Sequence, residues 1–110
     1  MKPDAKKALL GMIGLCRRSG NIICGSDIVC GELSAKHPPA LVIVSSDASG
    51  STIDRITKKC FHYGVKCEIV PINTEELGHT VGKLSSIATV GIRNAGFAAR
   101  IEELINELNR

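Results

Sequence analysis

Leu41-Val42-Ile43-Val44 is an uninterrupted aliphatic run, which is typical of a strand covered on both faces. Residues 45–50 are rich in Ser, Asp and Gly, and they predict a loop at the carboxyl end of that strand. A helix is expected over residues 51–63, because Ser51 suits an N-cap and Asp54 stands three residues further on. A buried strand followed directly by a helix indicates an α/β protein.

The same alternation continues on both sides of this unit. Further strands are predicted at residues 22–24, 67–70 and 87–92, and further helices over residues 5–16 and 26–35 and after Asn73 and Asn94. The predicted N-caps are Asp4, Ser26 or Asp27, Asn73 (with Glu76 as its N3 partner) and Asn94. We therefore predict a three-layer α/β/α sandwich with a mixed sheet of about four strands, in a single domain spanning residues 1–110.

Composition narrows the class of protein. A hydrophobic content of 44% over 110 residues excludes a disordered chain, and an aromatic content of 3% argues against a base-stacking platform. The net charge of +3 is compatible with an anionic partner without requiring one. Five cysteines without a C-x-x-C pair favour a reducing compartment. With no secretory signal and no membrane-length apolar run, we expect a soluble cytoplasmic protein without a membrane partner.

No motif in the chain predicts catalysis. Gly78 to Leu84 superficially resembles a phosphate-binding loop, but only three residues separate Gly78 from Gly82 and Leu84 follows Lys83 where Ser or Thr is required. The cysteine and histidine spacings match no zinc signature, and no nucleophile has an evident activating base. We therefore expect a binding module with no catalytic residue, no metal site and no cofactor.

A basic stripe is predicted on the helix over residues 51–63. Its members are Arg55, Lys58, Lys59 and His62, which share a face apart from the apolar side. Such stripes are usually solvated helix surface, and that interpretation is preferred here.

Several segments, taken in order, resemble the kink-turn RNA-binding ribosomal protein family (L-seven-Ae, L-thirty-e, S-twelve-e and Gadd-forty-five), and most closely its small bacterial YlxQ-type members. The resemblance covers residues 5–100. It is carried by Arg17-Arg18-Ser19-Gly20-Asn21, by Gly25-Ser26-Asp27, by residues 41–49, by residues 60–65, and by Glu76-Leu77-Gly78 through Gly82-Lys83.

The resemblance implies a ribosome- or RNA-metabolism-associated protein that binds structured RNA, with a kink-turn and the ribosome among its candidate partners. Family members use the glycine-led helix start to meet the sheared G·A pairs of a kinked duplex, and a later loop to contact the bulged nucleotides. Carried onto this chain, the RNA-binding residues are Arg18, Asn21, Gly25, Ser26, Asp27, Gly82, Lys83, Leu84 and Ser85.

Three positions depart from the family pattern. Asp27 stands for Asn, Ile28 for Glu and Gly31 for Lys, so base contacts worth roughly 1–3 kcal/mol each would be lost. Kink-turn selectivity therefore stays open, whereas general RNA affinity through Arg17, Arg18 and Lys83 would survive. The alternative is a protein-interaction module on the same fold, in which Ile28 and Val29 belong to a partner surface, although Val29 is equally compatible with a place in the core.

Overall fold

A computed structural model describes residues 3–110 of the chain, with side chains described from Ala5 onward. Within these residues, helices and strands alternate as predicted. The helices are α1 (Pro3–Arg18), α2 (Ser26–Glu32), α3 (Gly50–Tyr63), α4 (Thr74–Thr80) and α5 (Ala95–Leu108). The strands are β1 (Ile22–Cys24), β2 (Leu41–Ser45), β3 (Cys67–Val70) and β4 (Thr89–Ile92).

The strands form one mixed sheet in the order β1-β4-β2-β3. β2 and β3 are parallel and are connected through α3, whereas β4 is antiparallel to both of its neighbours, β1 and β2. The last strand is thus inserted between the first two. As a result, β4 begins at the edge of the sheet where β1 and β2 end: Thr89 pairs with Val44, and Val90 pairs with Cys24.

Helices cover both faces of the sheet. Leu41 and Ile43 of β2 pack into a cluster with α1, α4 and α5, whereas Val42 and Val44 pack with α2 and α3. All four side chains are fully buried, which explains why this strand is aliphatic throughout. The predicted three-layer α/β/α sandwich with a mixed four-stranded sheet is confirmed.

Two predicted helix caps are wrong. The N-cap of α3 is Ser49, whose Oγ accepts a hydrogen bond from the backbone N–H of Thr52 at 3.2 Å, and Ser51 lies inside the helix. The N-cap of α2 is Gly25, and neither Ser26 nor Asp27 caps it, because both are already helical. By contrast, the predicted capping box at the start of α4 is confirmed, with Asn73 and Glu76 bonding each other's backbone N–H.

One further predicted cap is confirmed, and several predicted element ends differ from those in the structure. The N-cap Asn94 of α5 is confirmed by its bond from the N–H of Phe97 at 3.0 Å. Helix α1 is already helical at Pro3, and the side chain of Asp4, the predicted cap, lies outside the described residues. β4 starts at Thr89 rather than at residue 87, because the N–H of Ile87 bonds the carbonyl of Thr74 instead of a neighbouring strand. Helix α2 ends at Glu32, three residues before the predicted end.

No helix within residues 3–110 combines the length and the apolar character needed to cross a bilayer.

Candidate nucleic-acid interface

Helix α2 starts against the first residue of β4. The backbone N–H of Gly25 donates to the carbonyl of Thr89 at 2.9 Å, and the hydroxyls of Ser26 and Thr89 are hydrogen-bonded at 2.8 Å. Gly25 has a φ of 102°, a left-handed conformation that strongly favours glycine. The turn from β1 into α2 is therefore held in place by glycine geometry and by two bonds to one buried threonine.

The loop over residues 82–88 connects α4 to β4 and ends at the same threonine. Its path is held on α4 by a bond from the N–H of Lys83 to the carbonyl of Gly78 at 2.9 Å. A Cβ added at Gly78 would overlap the carbonyl oxygen of Ser85, so the loop lies directly on the helix backbone. Because this loop runs into Thr89, residues 82–85 lead toward the residue that Gly25 and Ser26 bond, at the edge of the sheet where β4 begins.

Two cations lie at this junction. The guanidinium of Arg17 packs on Gly82, since a Cβ built at Gly82 would lie 2.6 Å from Nη2 of Arg17. Burial raises the pKa of the Cys24 thiol, and the positive charges of Lys83 and Arg17 oppose that rise. Arg17 and Lys83 are thus both close to Cys24, the residue that precedes Gly25.

Asp27 is paired with a cation from another helix. Its Oδ1 accepts a hydrogen bond from Nη2 of Arg55 on α3 at 2.9 Å. The carboxylate of Asp27 is 91% exposed and the Arg55 side chain 45% exposed, so the pair lies on the surface. The negative charge that distinguishes this helix start from the family pattern is therefore offset locally by Arg55.

The side chains of Arg18 and Asn21 contact nearby residues of the chain and form no hydrogen bond with residues 25–27 in the described structure. Nη1 of Arg18 lies 3.4 Å from a Cβ built at Gly14, which places the guanidinium beside α1 near Thr80. Nδ2 of Asn21 donates to Oγ of Ser19 at 2.9 Å, within the turn after α1. The side chain of Asn21 thus supports the turn that leads into β1.

Exposed apolar side chains also lie on this part of the molecule. Leu84 is fully exposed at the tip of the loop, and Ile28 of α2 is 59% exposed, whereas Val29 is completely buried. Val29 therefore belongs to the core, and of the two residues assigned to a possible partner surface only Ile28 is accessible. Beside Leu84 lies a cleft of about 830 Å³, lined by Asn73, Glu75, Glu76, His79, Lys83, Leu84, Ser85 and Ser86.

The loop after β2 has a structural role at the start of α4. Oδ1 of Asp47 accepts the backbone N–H of Thr74 at 2.9 Å, at the first residue of α4. This bond satisfies one of the free N–H groups that every helix start carries.

Two residues of this interface were missed by reasoning from the sequence. Thr89 was assigned to a strand without a further role, and Arg55 was grouped with a solvated stripe. Arg55 is 28 residues from Asp27, and Thr89 is 63 residues from Ser26. No local pattern links residues at such separations, so only the fold identifies these pairs.

The fold and this edge define the class of protein. It is a small α/β/α sandwich in which a glycine begins helix α2 beside the residue where the loop before the central strand β4 ends. The chain is 30% identical over 95 residues to the RNA-binding protein YlxQ of Bacillus subtilis, covering 86% of this chain and 92% of that protein. It is 28% identical over 105 residues to the RNA-binding protein YlxQ of Enterococcus faecium, covering 96% and 98%. The chain belongs to the YlxQ-type branch of the ribosomal protein L-seven-Ae family.

Solved structures agree with the fold. A protein of unknown function from Bacillus halodurans superposes with a TM-score of 0.81 at 30% identity, covering 89% of this chain and 96% of that one. A 15.5 kD RNA-binding protein of Giardia lamblia superposes with a TM-score of 0.77 at 14% identity, covering 99% and 91%, which shows a shared fold. No model of a protein family matches the chain.

Proposed function

We propose that this chain is a single-domain RNA-binding protein that contacts structured RNA along the edge formed by residues 25–27 and 82–85. The observation that carries the proposal is that Gly25 and Ser26 bond Thr89, the residue into which the loop over residues 82–88 runs, while Lys83 of that loop and Arg17 act on the neighbouring Cys24. Its relatives in Bacillus subtilis and Enterococcus faecium are named as RNA-binding proteins, which supports the same partner class.

The charge of this edge suits a phosphate backbone. Arg17 and Lys83 lie near Cys24, and Arg55 lies beside Asp27, so three cations from three parts of the chain surround the start of α2. Cations that neutralise phosphates release bound counterions, which makes binding favourable and dependent on salt. This electrostatic contribution requires no particular RNA sequence.

The rigidity of the edge suits a folded RNA with exposed bases. An ordinary RNA duplex presents a deep, narrow major groove that side chains cannot read, whereas kinks and bulges expose base edges. Gly25 and Gly82 adopt left-handed conformations, and the loop between α4 and β4 is bonded to Gly78, so both segments are held by the fold. A preformed surface binds without first losing conformational entropy.

Kink-turn recognition is the finer form of the proposal. The ion pair to Arg55 offsets the charge of Asp27, which reduces the repulsion that this departure from the family pattern would create. Gly31 is exposed with open space around it, so α2 itself presents no cation there. We propose that RNA affinity is retained and that kink-turn preference is weaker than in family members that carry Lys at that position.

A protein partner on the same edge is the second candidate. Ile28 and Leu84 are both large, aliphatic and exposed there, which is the composition expected of a small docking surface. The positive charges of Arg17 and Lys83 act on Cys24, and Arg55 pairs with Asp27. Cations therefore also lie near the start of α2, and RNA is the better match to the surface as a whole. We further propose a non-catalytic, cytoplasmic protein associated with the ribosome or with RNA metabolism.

Titration of the purified chain with a kink-turn RNA and with a plain duplex of matched length tests both levels of the proposal. Tighter binding of the kink-turn supports selective recognition, and equal affinities remove that finer claim. Affinity for both RNAs should fall steeply as salt is added. Absence of binding to either RNA at low salt would refute RNA binding, and a partner retained from nuclease-treated lysate would then favour the interaction module.

A further inference from the structure

The ion pair between Asp27 and Arg55 joins two helices that lie side by side on one face of the sheet. Asp27 is the second residue of α2 and Arg55 the sixth residue of α3. Their contact is a single hydrogen bond of 2.9 Å from Nη2 of Arg55 to Oδ1 of Asp27. A guanidinium has five N–H donors, so this bond leaves most of them free.

We propose that Arg55 is an RNA-contacting residue and that Asp27 is a positioning residue that holds the Arg55 guanidinium beside Gly25 and Ser26. This inference rests on the proposed RNA-binding function and assigns the base- or phosphate-reading cation of that edge to α3. A guanidinium that donates one hydrogen bond through Nη2 still presents a planar pair of N–H donors. Such a pair matches a phosphate or the O6 and N7 acceptors of guanine.

The surroundings of the pair leave Arg55 accessible. Gly31 lies one turn after Asp27 on the same side of α2, and nothing lies within 4 Å of a Cβ built there. Lys59 lies one turn after Arg55 on α3 and is also exposed, which adds a second cation to that face. Gly31 therefore adds no side chain on this side of α2 that would shield Arg55 from an approaching RNA strand.

Two other exposed ion pairs each lie within a single helix, whereas Lys6 with Glu76, Lys66 with Glu102 and Arg93 with Glu32 join separate parts of the chain, as Asp27 and Arg55 do. Lys58 with Asp54 and Arg100 with Glu103 each join residues of one helix, at spacings of four and three. The pair of Asp27 and Arg55 sits at the predicted interface. Arg100 with Glu103 is similarly exposed and has a similar contact distance of 3.0 Å, which makes it a matched control.

The decisive variant is Asp27→Ala, which removes the carboxylate without supplying the amide of the family's Asn, and for which two models predict opposite results. If Asp27 merely repels RNA, removing its charge strengthens binding. If Asp27 positions Arg55, its removal weakens binding to both the kink-turn RNA and the matched duplex, although the chain becomes more positive. We expect weakening, smaller than the roughly tenfold loss expected for Arg55→Ala from one well-placed guanidinium contact.

Two further variants separate position from charge. In Arg55→Ala, adding Asp27→Ala should cause no further loss, because the positioning residue then has nothing to position. Arg55→Lys keeps the charge without the planar fork, and we expect it to restore only part of the affinity. The slope of log affinity against log salt should fall by about one in Arg55→Ala and stay unchanged in Arg100→Ala.

Unfolding midpoints in urea should stay close to the wild-type value, because exposed ion pairs add little to stability. Stronger binding by Asp27→Ala, or equal affinities for Arg55→Ala and Arg100→Ala, would overturn the inference while leaving RNA binding by the wild type intact. Failure of the wild type to bind either RNA would instead refute the proposed function itself.

Discussion

The hydroxyl oxygens of Ser26 and Thr89 lie 2.8 Å apart and join the first residue of α2 to the first residue of β4. Thr89 is fully buried, and its side chain is one of only two buried polar side chains in the described part of the chain. The bond therefore connects the helix start to the strand into which the loop over residues 82–88 runs. The bond thereby contributes to the position of the start of α2 relative to β4.

Replacing Ser26 by Ala should destabilise the protein. The change leaves the buried Thr89 hydroxyl without this partner, at a cost of roughly 1–3 kcal/mol. The double variant Ser26→Ala with Thr89→Val should cost less than the sum of the single changes, because no polar group is then left unpaired. Urea unfolding provides the measurement and Ser51→Ala the control, and a loss no larger than in that exposed serine would contradict the expectation.

Gly82→Ala and Gly11→Ala should change stability in opposite directions. Gly82 has a φ of 72° and lies against the Arg17 guanidinium, so an added methyl group should cost about 1–2 kcal/mol or more. Gly11 lies within α1 with open space around it, and alanine there should stabilise by roughly 0.5–1 kcal/mol. Thermal unfolding of both variants tests these two expectations. Unfolding temperatures that shift in the same direction in both variants would contradict them.

Glu76→Gln should reduce stability near neutral pH by about 0.3–1 kcal/mol, since it weakens the capping box and an exposed ion pair. The backbone N–H of Asn73, followed by the ammonium of Lys6, lowers the pKa of Glu76 below its ordinary value of 4.5. A carboxyl whose pKa is lowered by folding contributes stability that is present above 4.5 and is lost as pH falls through the folded-state pKa.

The difference in urea midpoint between wild type and Glu76→Gln should therefore shrink as pH is lowered below 4.5. Glu103→Gln serves as a control, because Glu103 pairs with Arg100 on α5 and takes no part in a helix cap. A difference that stays constant over this pH range would show that the charge of Glu76 is not responsible.

Lys83→Ala and Arg17→Ala should each weaken RNA binding and reduce the salt slope by about one, as expected for the loss of one phosphate contact. Lys58→Ala is the matched control, because Lys58 is an exposed lysine of α3 paired with Asp54. Fluorescence anisotropy with the kink-turn RNA at several salt concentrations gives both quantities. A loss of equal size in the control would mean that net charge, rather than this edge, governs binding.

Local patterns predicted much of this fold correctly. The aliphatic run at residues 41–44 indicated a strand with helices on both sides, and its alternate residues do pack into separate clusters above and below the sheet. The capping box of Asn73 and Glu76 was also predictable, because its two hydrogen bonds join residues three apart. Such features depend on neighbours in the chain, which the sequence displays directly.

The start of α2 shows a feature that local sequence patterns do not predict. Ser26 and Asp27 are residue types that favour N-caps, and Gly25-Ser26-Asp27 correctly marked the beginning of a helix. Their side chains instead bond Thr89 and Arg55, which are 63 and 28 residues away. Tertiary packing decides between a local cap and a distant partner, because the strand order β1-β4-β2-β3 brings Thr89 to the start of α2 and the packing of α3 with α2 brings Arg55 there. The sequence therefore determined the elements and the location of this edge, and the tertiary fold determined which side chains on it are engaged and which are free.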